Sequence, residues 1–384
     1  MPRAILFADN HTDLHGTACY PFPDSPLNSR WIWCHRAMAL ITEKGKELGC
    51  ELAFGLGDNV LQIGHQWTKV LVRLRRALEN MGLTLGQVVL VGGNHDLAMD
   101  EEEQEMSLLS LLDSDHVSSQ GERPAIYTHS DGMQFALMPF RDNEAVYFKT
   151  LEKLLGQLTR ARPAVLLSHI GIVGARIGQE QYDPAYGFHW PVDMWQRYPN
   201  VLAAFFGHYH PHQDISDLVG IPAFYVGSPQ QHGFVDEGDD RGVMVLEWDV
   251  SQNVLTWEFH SLLLPRFYTL DLETDKHVEG FHVANEMGGV DPSGYYKVHV
   301  SGEALAYKTW LQQQQIGLWR RIIPKYRDAR MRLVAGLAHE RGLDASTPPH
   351  EHLRRYLVSK GYEGEYLEAL LKIGLDILSR VRRS

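Results

Sequence analysis

The chain has 384 residues, 44% of them hydrophobic and 22% charged, enough for a large core in a main domain plus one or two smaller additions. Its apolar runs are too short to span a bilayer, its N-terminus begins a strand rather than a secretory segment, and Cys19, Cys34 and Cys50 lack metal-type spacing; a cytoplasmic protein with reduced thiols and no membrane contact is expected. The net charge of -12 speaks against a generally basic surface.

In chain order, strand-like runs are predicted near residues 3–8, 52–56, 87–91, 134–138, 164–168 and 202–206, with helices over 30–49, 66–81 and 145–160 between them. Later strand candidates at 222–226, 242–248 and 254–259 leave little room for helices, which predicts antiparallel pairing there. No repeat of fixed period and no long low-complexity tract is present.

Several of these apolar runs end in side chains of ligand type. The first leads into Asp9-Asn10-His11, the second into Gly57-Asp58, the third into Gly92-Gly93-Asn94-His95-Asp96, a later one into Ser168-His169, and the run Val201 to Phe206 into Gly207-His208-Tyr209-His210. The last places two imidazoles on one side of an extended backbone, because strand side chains alternate with a period of two. Each element alone is also readable as a turn, a helix cap or a satisfied core residue, since Asn, Asp and His bond local backbone well. Second copies exist too. Asp13/His15 and Asp275/His277 repeat the D-x-H spacing and Gly238/Asp239 repeats G-D, but only Asp9 and His11 leave the first strand directly. His116, His129, His212, His232 and His260 have no motif context, and surface or structural roles are expected for them.

The ordered series D-x-H, G-D, G-N-H-D, H, G-H-x-H resembles the calcineurin-like metallophosphoesterase superfamily. The resemblance implies a four-layer α/β/β/α sandwich with ligands at the carboxyl ends of the strands. It assigns Asp9, His11 and His210 to one divalent ion, Asn94, His169 and His208 to a second, and Asp58 to both as a bridge. His95 is implied to contact the scissile phosphate and Asp96 to orient it. Carboxylate, imidazole and amide donors suit manganese, iron or zinc, with manganese the first expectation.

Further along, Tyr225-Val226-Gly227-Ser228-Pro229, Gly233-Phe234-Val235-Asp236-Glu237 and Arg241-Gly242-Val243-Met244-Val245-Leu246-Glu247 are similar to the corresponding succession in SbcD-type DNA repair nucleases, and Leu264 to Leu270 continues it. This implies a DNA exonuclease and endonuclease serving repair and recombination. Its implied domains are a nuclease domain over 1–265, a small α+β DNA-facing cap over 266–335 and a C-terminal helical segment over 336–384. A homodimer and an SbcC-type ABC ATPase with a coiled coil are the implied partners. Residues 301–384 hold fifteen Lys and Arg against nine Asp and Glu, peaking at Arg320, Arg321, Lys325, Arg327, Arg330 and Arg332 beside Trp319 and Tyr326. That stretch can grip DNA or form a solvated helix face. Apolar residues from Leu357 to Leu378 likewise fit an ATPase-binding helix or a domain-packing pair.

The sequence departs from the family at Leu61, where an acid or histidine is common three residues past the bridging aspartate, and in the Pro21-Phe22-Pro23 and Ser25-Pro26 segment. The rival reading is a stand-alone metallophosphatase or cyclic-nucleotide phosphodiesterase with the same ions. A third is a metal-bound scaffold.

Overall fold

A computed structural model describes residues 1–15, 28–97, 107–178, 181–183, 186–273 and 294–301, together with residues 354 and 371. The expectations for the cap, the C-terminal helical segment, the basic stretch, Asp275/His277 and the Pro-rich segment lie wholly or mostly outside these residues. The larger of two compact units takes in Met1–Thr269 and holds the two main sheets, their helices and the site.

Strands of five or so apolar residues alternate with helices through the first part of the chain: β1 Arg3–Phe7, α1 Ser29–Glu47, β2 Leu52–Leu56, α2 Thr68–Leu85 and β3 Gln87–Val91. β4 Val117–Gly121, β5 Ala125–Thr128, β6 Gln134–Met138, α3 Glu144–Leu155 and β7 Ala164–His169 follow, then the short pair β8 Arg176–Gly178 and β9 Gln181–Tyr182. The last part of the sandwich is β10 Val201–Gly207, β11 Gln213–Asp214, α4 Ser216–Val219, β12 Ala223–Tyr225, β13 Gly242–Asp249 and β14 Val254–Ser261, after which β15 Phe267–Glu273 pairs with β16 Tyr295–Ser301. Local chemistry sets the helix ends. Asn28 caps α1 by accepting Trp31 N at 2.9 Å, and Asn143 caps α3 by accepting Val146 N at 3.0 Å. α3 stops at Gly156, short of the expected residue 160, whereas α2 runs past 81 to Gly86, whose φ of 98° ends it.

Two six-stranded sheets form, in the orders β14-β13-β1-β2-β3-β4 and β11-β12-β10-β7-β6-β5. Alternation along each strand then divides the apolar residues into three cores. Ala4, Leu6, Phe54, Val89 and Leu246 of the first sheet meet Phe135, Leu137, Leu167 and Phe205 of the second. The opposite faces bury Ile5, Phe7, Ala53 and Leu90 against α1 and α2, and Ala136, Leu166, Ala204 and Phe206 against α3. Helix, sheet, sheet, helix is therefore the layer order, the four-layer α/β/β/α sandwich expected from sequence.

The strands carrying ligand-type residues run in parallel: β1, β2 and β3 in one sheet, β7 and β10 in the other. Parallel neighbours put their carboxyl ends on one edge, so five strand-following loops gather there. Antiparallel pairing holds for β13 with β1 and β14. For residues 222–226 the pairing is mixed: β12 runs antiparallel to β11 but parallel to β10, because β11 and the single turn of α4 make a crossover that seemed to lack room. No helix among the described residues is long and apolar enough to cross a membrane.

Candidate metal centre

The loops after β1 and β2 are laced together by backbone. Asp9 N donates to Gly57 O, His11 N to Asp58 O and Thr12 N to Asn59 O, each at 3.0 Å. To turn inward so soon after their strands, Asp9 (φ 53°), His11 (φ 46°) and Asp58 (φ 53°) adopt left-handed backbone, as does His208 (φ 103°) after β10. Two motif glycines permit the close approach: a Cβ on Gly57 would overlap the His169 ring, and one on Gly93 would overlap Asp58. Carboxylates then tie the loops to one another. Asp9 accepts His208 N at 3.0 Å, and Asp58 Oδ1 accepts His95 N at 2.9 Å.

The side chains converge in two lobes. In one, His11 Nε2 lies 3.2 Å from His210 Nε2, and Asp9 completes a set whose donor atoms all fall within 4.8 Å of each other. In the other, Asn94 Oδ1 lies 3.1 Å from His169 Nε2 and 3.0 Å from His208 Nδ1. Asp58 stands between them, with Oδ1 3.4 Å from His169 Nε2 and Oδ2 3.7 Å from His11 Nε2. Donor atoms about 3.0–3.4 Å apart are what an ion bound at about 2.1 Å requires.

A test of fit comes from the imidazoles themselves. His11 Nδ1 donates to Val60 O at 3.3 Å and His169 Nδ1 to Leu56 O at 2.7 Å, which leaves a lone pair on each inward Nε2. His11 and His210 bring ring nitrogens to within 3.2 Å of each other, an arrangement that asks for a positive charge between them. Asp9, His11, Asp58 and His169 are each at most 3% exposed, so water does little to screen that demand. The residues fit a pair of divalent cations sharing Asp58.

Without metal, protons answer part of it. Burial opposes charge on His169, but Asp58 outweighs burial and pushes the imidazole up to about 9. Burial would likewise raise Asp58, yet His169 and His11 hold it well below the usual carboxylate range. Burial lowers His11 and His208 to about 3, leaving both neutral as ligands must be. Burial, with Asp58 adding to it, raises Asp9 to about 6.

His95 lies beside the two lobes. Its Nδ1 donates to Leu61 O at 2.5 Å, its Nε2 is 3.9 Å from Asp58 Oδ2, and its ring is 4.8 Å from that of His11. Asp96, fully buried, accepts Asn59 N at 3.0 Å, Asn59 Nδ2 at 3.1 Å and Gly93 N at 3.1 Å. Its carboxylate fixes the turn Asn94–Asp96 against the loop after β2, so it acts on His95 through backbone while the Leu61 carbonyl holds the ring.

The second copies lie elsewhere. Asp13 accepts Gln62 Nε2 at 2.9 Å, and His15 Nε2 contacts His11 O at 3.1 Å and Cys34 Sγ at 3.3 Å. Asp239 pairs with Arg176 and Arg241, and His65 packs on Trp67. His212 stacks on Phe259, and His129 pairs with Glu51 and Asp131. His232 is different. Its ring lies 5.0 Å from His11 and 4.9 Å from His210, with Nε2 donating to Asp9 O at 2.8 Å. No motif marks it, because its contacts are made across 223 positions of sequence. Phe140, also unforeseen, stacks on His208 at 6.0 Å.

The sequence matches no protein-family profile and no curated protein. Among solved structures, the chain is similar to a dimetal phosphatase from Danio rerio, at 13% identity over 64% of this chain and 92% of that one, with a TM-score of 0.41. It is also similar to a single mutant of Vps29 from Entamoeba histolytica, at 11% identity over 68% of this chain and 99% of that one, with a TM-score of 0.29.

Proposed function

We propose that the chain is a DNA nuclease of SbcD type, hydrolysing phosphodiesters as an exonuclease and an endonuclease with two divalent ions, manganese first. One observation carries the hydrolase reading: Asp9, His11, His210 and Asn94, His169, His208 close into two donor sets that share Asp58. DNA is favoured as substrate by the succession from Tyr225 to Glu247, which resembles the corresponding stretch of SbcD-type nucleases. The same reading extends to a cap over 266–335, a homodimer, an SbcC-type ATPase bound through 336–384, and a cytoplasmic setting.

Bound divalent ions supply Lewis-acid polarisation of the phosphorus–oxygen bonds and acidification of a water. The protein's part is placement. His95, with Nδ1–H held by the Leu61 carbonyl, presents Nε2 to the departing oxygen and, as an imidazolium carrying a second proton there, would hand that proton over. Asp58, Asp9 and the neutral rings of His11 and His208 hold the metal positions in a site from which bulk water is largely excluded.

The purified full-length chain, loaded with manganese, is tested on end-labelled linear DNA, an aryl phosphodiester, a nucleoside monophosphate and a cyclic nucleotide. Cleavage of DNA and the aryl diester is expected. A DNA-inert protein that turns over the monophosphate or cyclic nucleotide would transfer the reading to a stand-alone phosphatase or phosphodiesterase. A metal-loaded protein inert on all four would be a scaffold. His95→Ala should lose turnover with its metals retained, and full activity in that variant would overturn the role of His95.

A further inference from the structure

The imidazoles of the centre are not all held in the same way. His11, His95 and His169 each give Nδ1 to a backbone carbonyl, those of Val60, Leu61 and Leu56, all in or just after β2. His210 has no such carbonyl. Its Nδ1 faces Asp236 Oδ2 at 3.7 Å, and Asp236 Oδ1 lies 3.1 Å from Arg241 Nη2. Both charged side chains are 4% exposed. Buried charges persist only when balanced, and here the balance is drawn out into a line: Arg176, Asp239, Arg241 and Asp236 alternate in sign and end at the His210 ring.

Other bonds fix the carboxylate relative to that ring. Asp236 Oδ2 also accepts His232 N at 2.6 Å, and His232 Nε2 reaches Asp9 O at 2.8 Å. Arg241 donates to His210 O and to Ser228 Oγ, the latter at 3.2 Å. The ring of His210, its own backbone and the backbone of Asp9 are therefore all referred to one ion pair.

We propose that Asp236, clamped by Arg241, is a positioning residue for His210, holding a proton on Nδ1 so that Nε2 faces the ion of the Asp9–His11–His210 set. The proposal rests on the two-metal reading and adds to it an asymmetry: one metal position has a carboxylate behind one of its two histidines, whereas the other has a carbonyl behind His169. A carboxylate makes the ring a more basic ligand than a carbonyl does, and removing such a partner weakens metal binding by about 10–100-fold.

The experiment is a zinc titration of the full chain by calorimetry, in parallel with nitrogen and proton NMR of the zinc-loaded protein. Asp236→Asn should bind one ion about 10–100-fold more weakly and the other unchanged. In the wild type, His210 should show an exchange-protected Nδ1 proton that is absent from the variant. Asp131→Asn serves as the control for mere loss of a carboxylate hydrogen bond, since Asp131 accepts Trp248 Nε1 at 2.8 Å and touches no ligand. It should leave both affinities as they were. Unchanged affinities at both positions in Asp236→Asn would overturn the proposal, as would a His210 proton on Nε2 in the wild type. The wild-type spectrum decides alone if the variant does not fold. A wild-type chain that binds no zinc would instead remove the two-metal reading, an outcome visible before any variant is made.

Discussion

The two sheets furnish the centre unequally. From the first come the carboxylates Asp9 and Asp58, the amide Asn94 and the rings of His11 and His95; from the second come imidazoles alone, His169, His208 and His210. Yet neither metal position belongs to one sheet. Asp9 and His11 need His210 from across the sandwich, while His169 and His208 need Asn94. The first sheet brings the negative charge, the second brings neutral donors, and a cation is what makes them compatible. In its absence Asp58 satisfies itself with a proton on His169. The ions should therefore staple the sheets at their shared edge as well as serve chemistry.

Removing the shared carboxylate should break this arrangement most severely. Asp58→Ala is expected to lose both ions and at least about a thousandfold in kcat/KM on an aryl phosphodiester, on the order of 4 kcal/mol of barrier. Metal analysis of the purified variant checks it, and two retained ions would end the bridging role. Next, His11→Ala from the first sheet and His169→Ala from the second should each cost one ion and about a hundredfold in rate. Loss of both ions from either variant would mean that the positions do not fill independently.

Chelation tests the staple. Stripping metal from a chain held at about a hundred times its Kd should remove about 2.7 kcal/mol of stability per site, seen as a lower Tm. The pH dependence then separates proton from metal. The folded His169 sits above its ordinary value of 6.5, so the stability it lends the metal-free chain is complete below 6.5 and fades as pH rises through about 9. Metal binding must displace that proton, so affinity should instead rise with pH over the same window, by up to tenfold per unit. Titrations at pH 6.5 and 8.5 with parallel melting curves of the stripped protein measure both trends, and parallel slopes would dissolve the Asp58–His169 pairing. The smallest effect belongs to the displaced copy of the first motif: Asp13→Ala should leave metal content intact and cost about 1 kcal/mol, the worth of its hydrogen bond from Gln62.

The ligand loops were readable because each follows an apolar run whose alternation serves two cores at once, as in Ala4-Ile5-Leu6-Phe7. Edge strands were harder. Val117–Gly121 and Ala125–Thr128 are polar or half-buried and give no such signal, and the β12 crossover was hidden by its brevity. Within the site, backbone groups were invisible. Leu61 looked like a departure because its side chain is apolar, yet its carbonyl holds His95, a task any residue can perform. Asp236 and Arg241 stood inside a recognised succession, but their service to His210 depends on a fold that brings positions 210, 236 and 241 together.

The left-handed turns at the strand ends carry one more implication. A residue other than glycine pays roughly 1–2 kcal/mol for such backbone, and Asp9, His11, Asp58 and His208 all adopt it. The chain is thus a drawn spring whose tension lies in the candidate ligands. Glycine at position 208 would relax part of it and yield a sturdier molecule that lacks one metal donor. Selection for robustness alone would therefore erode this centre first at the turns that follow its strands.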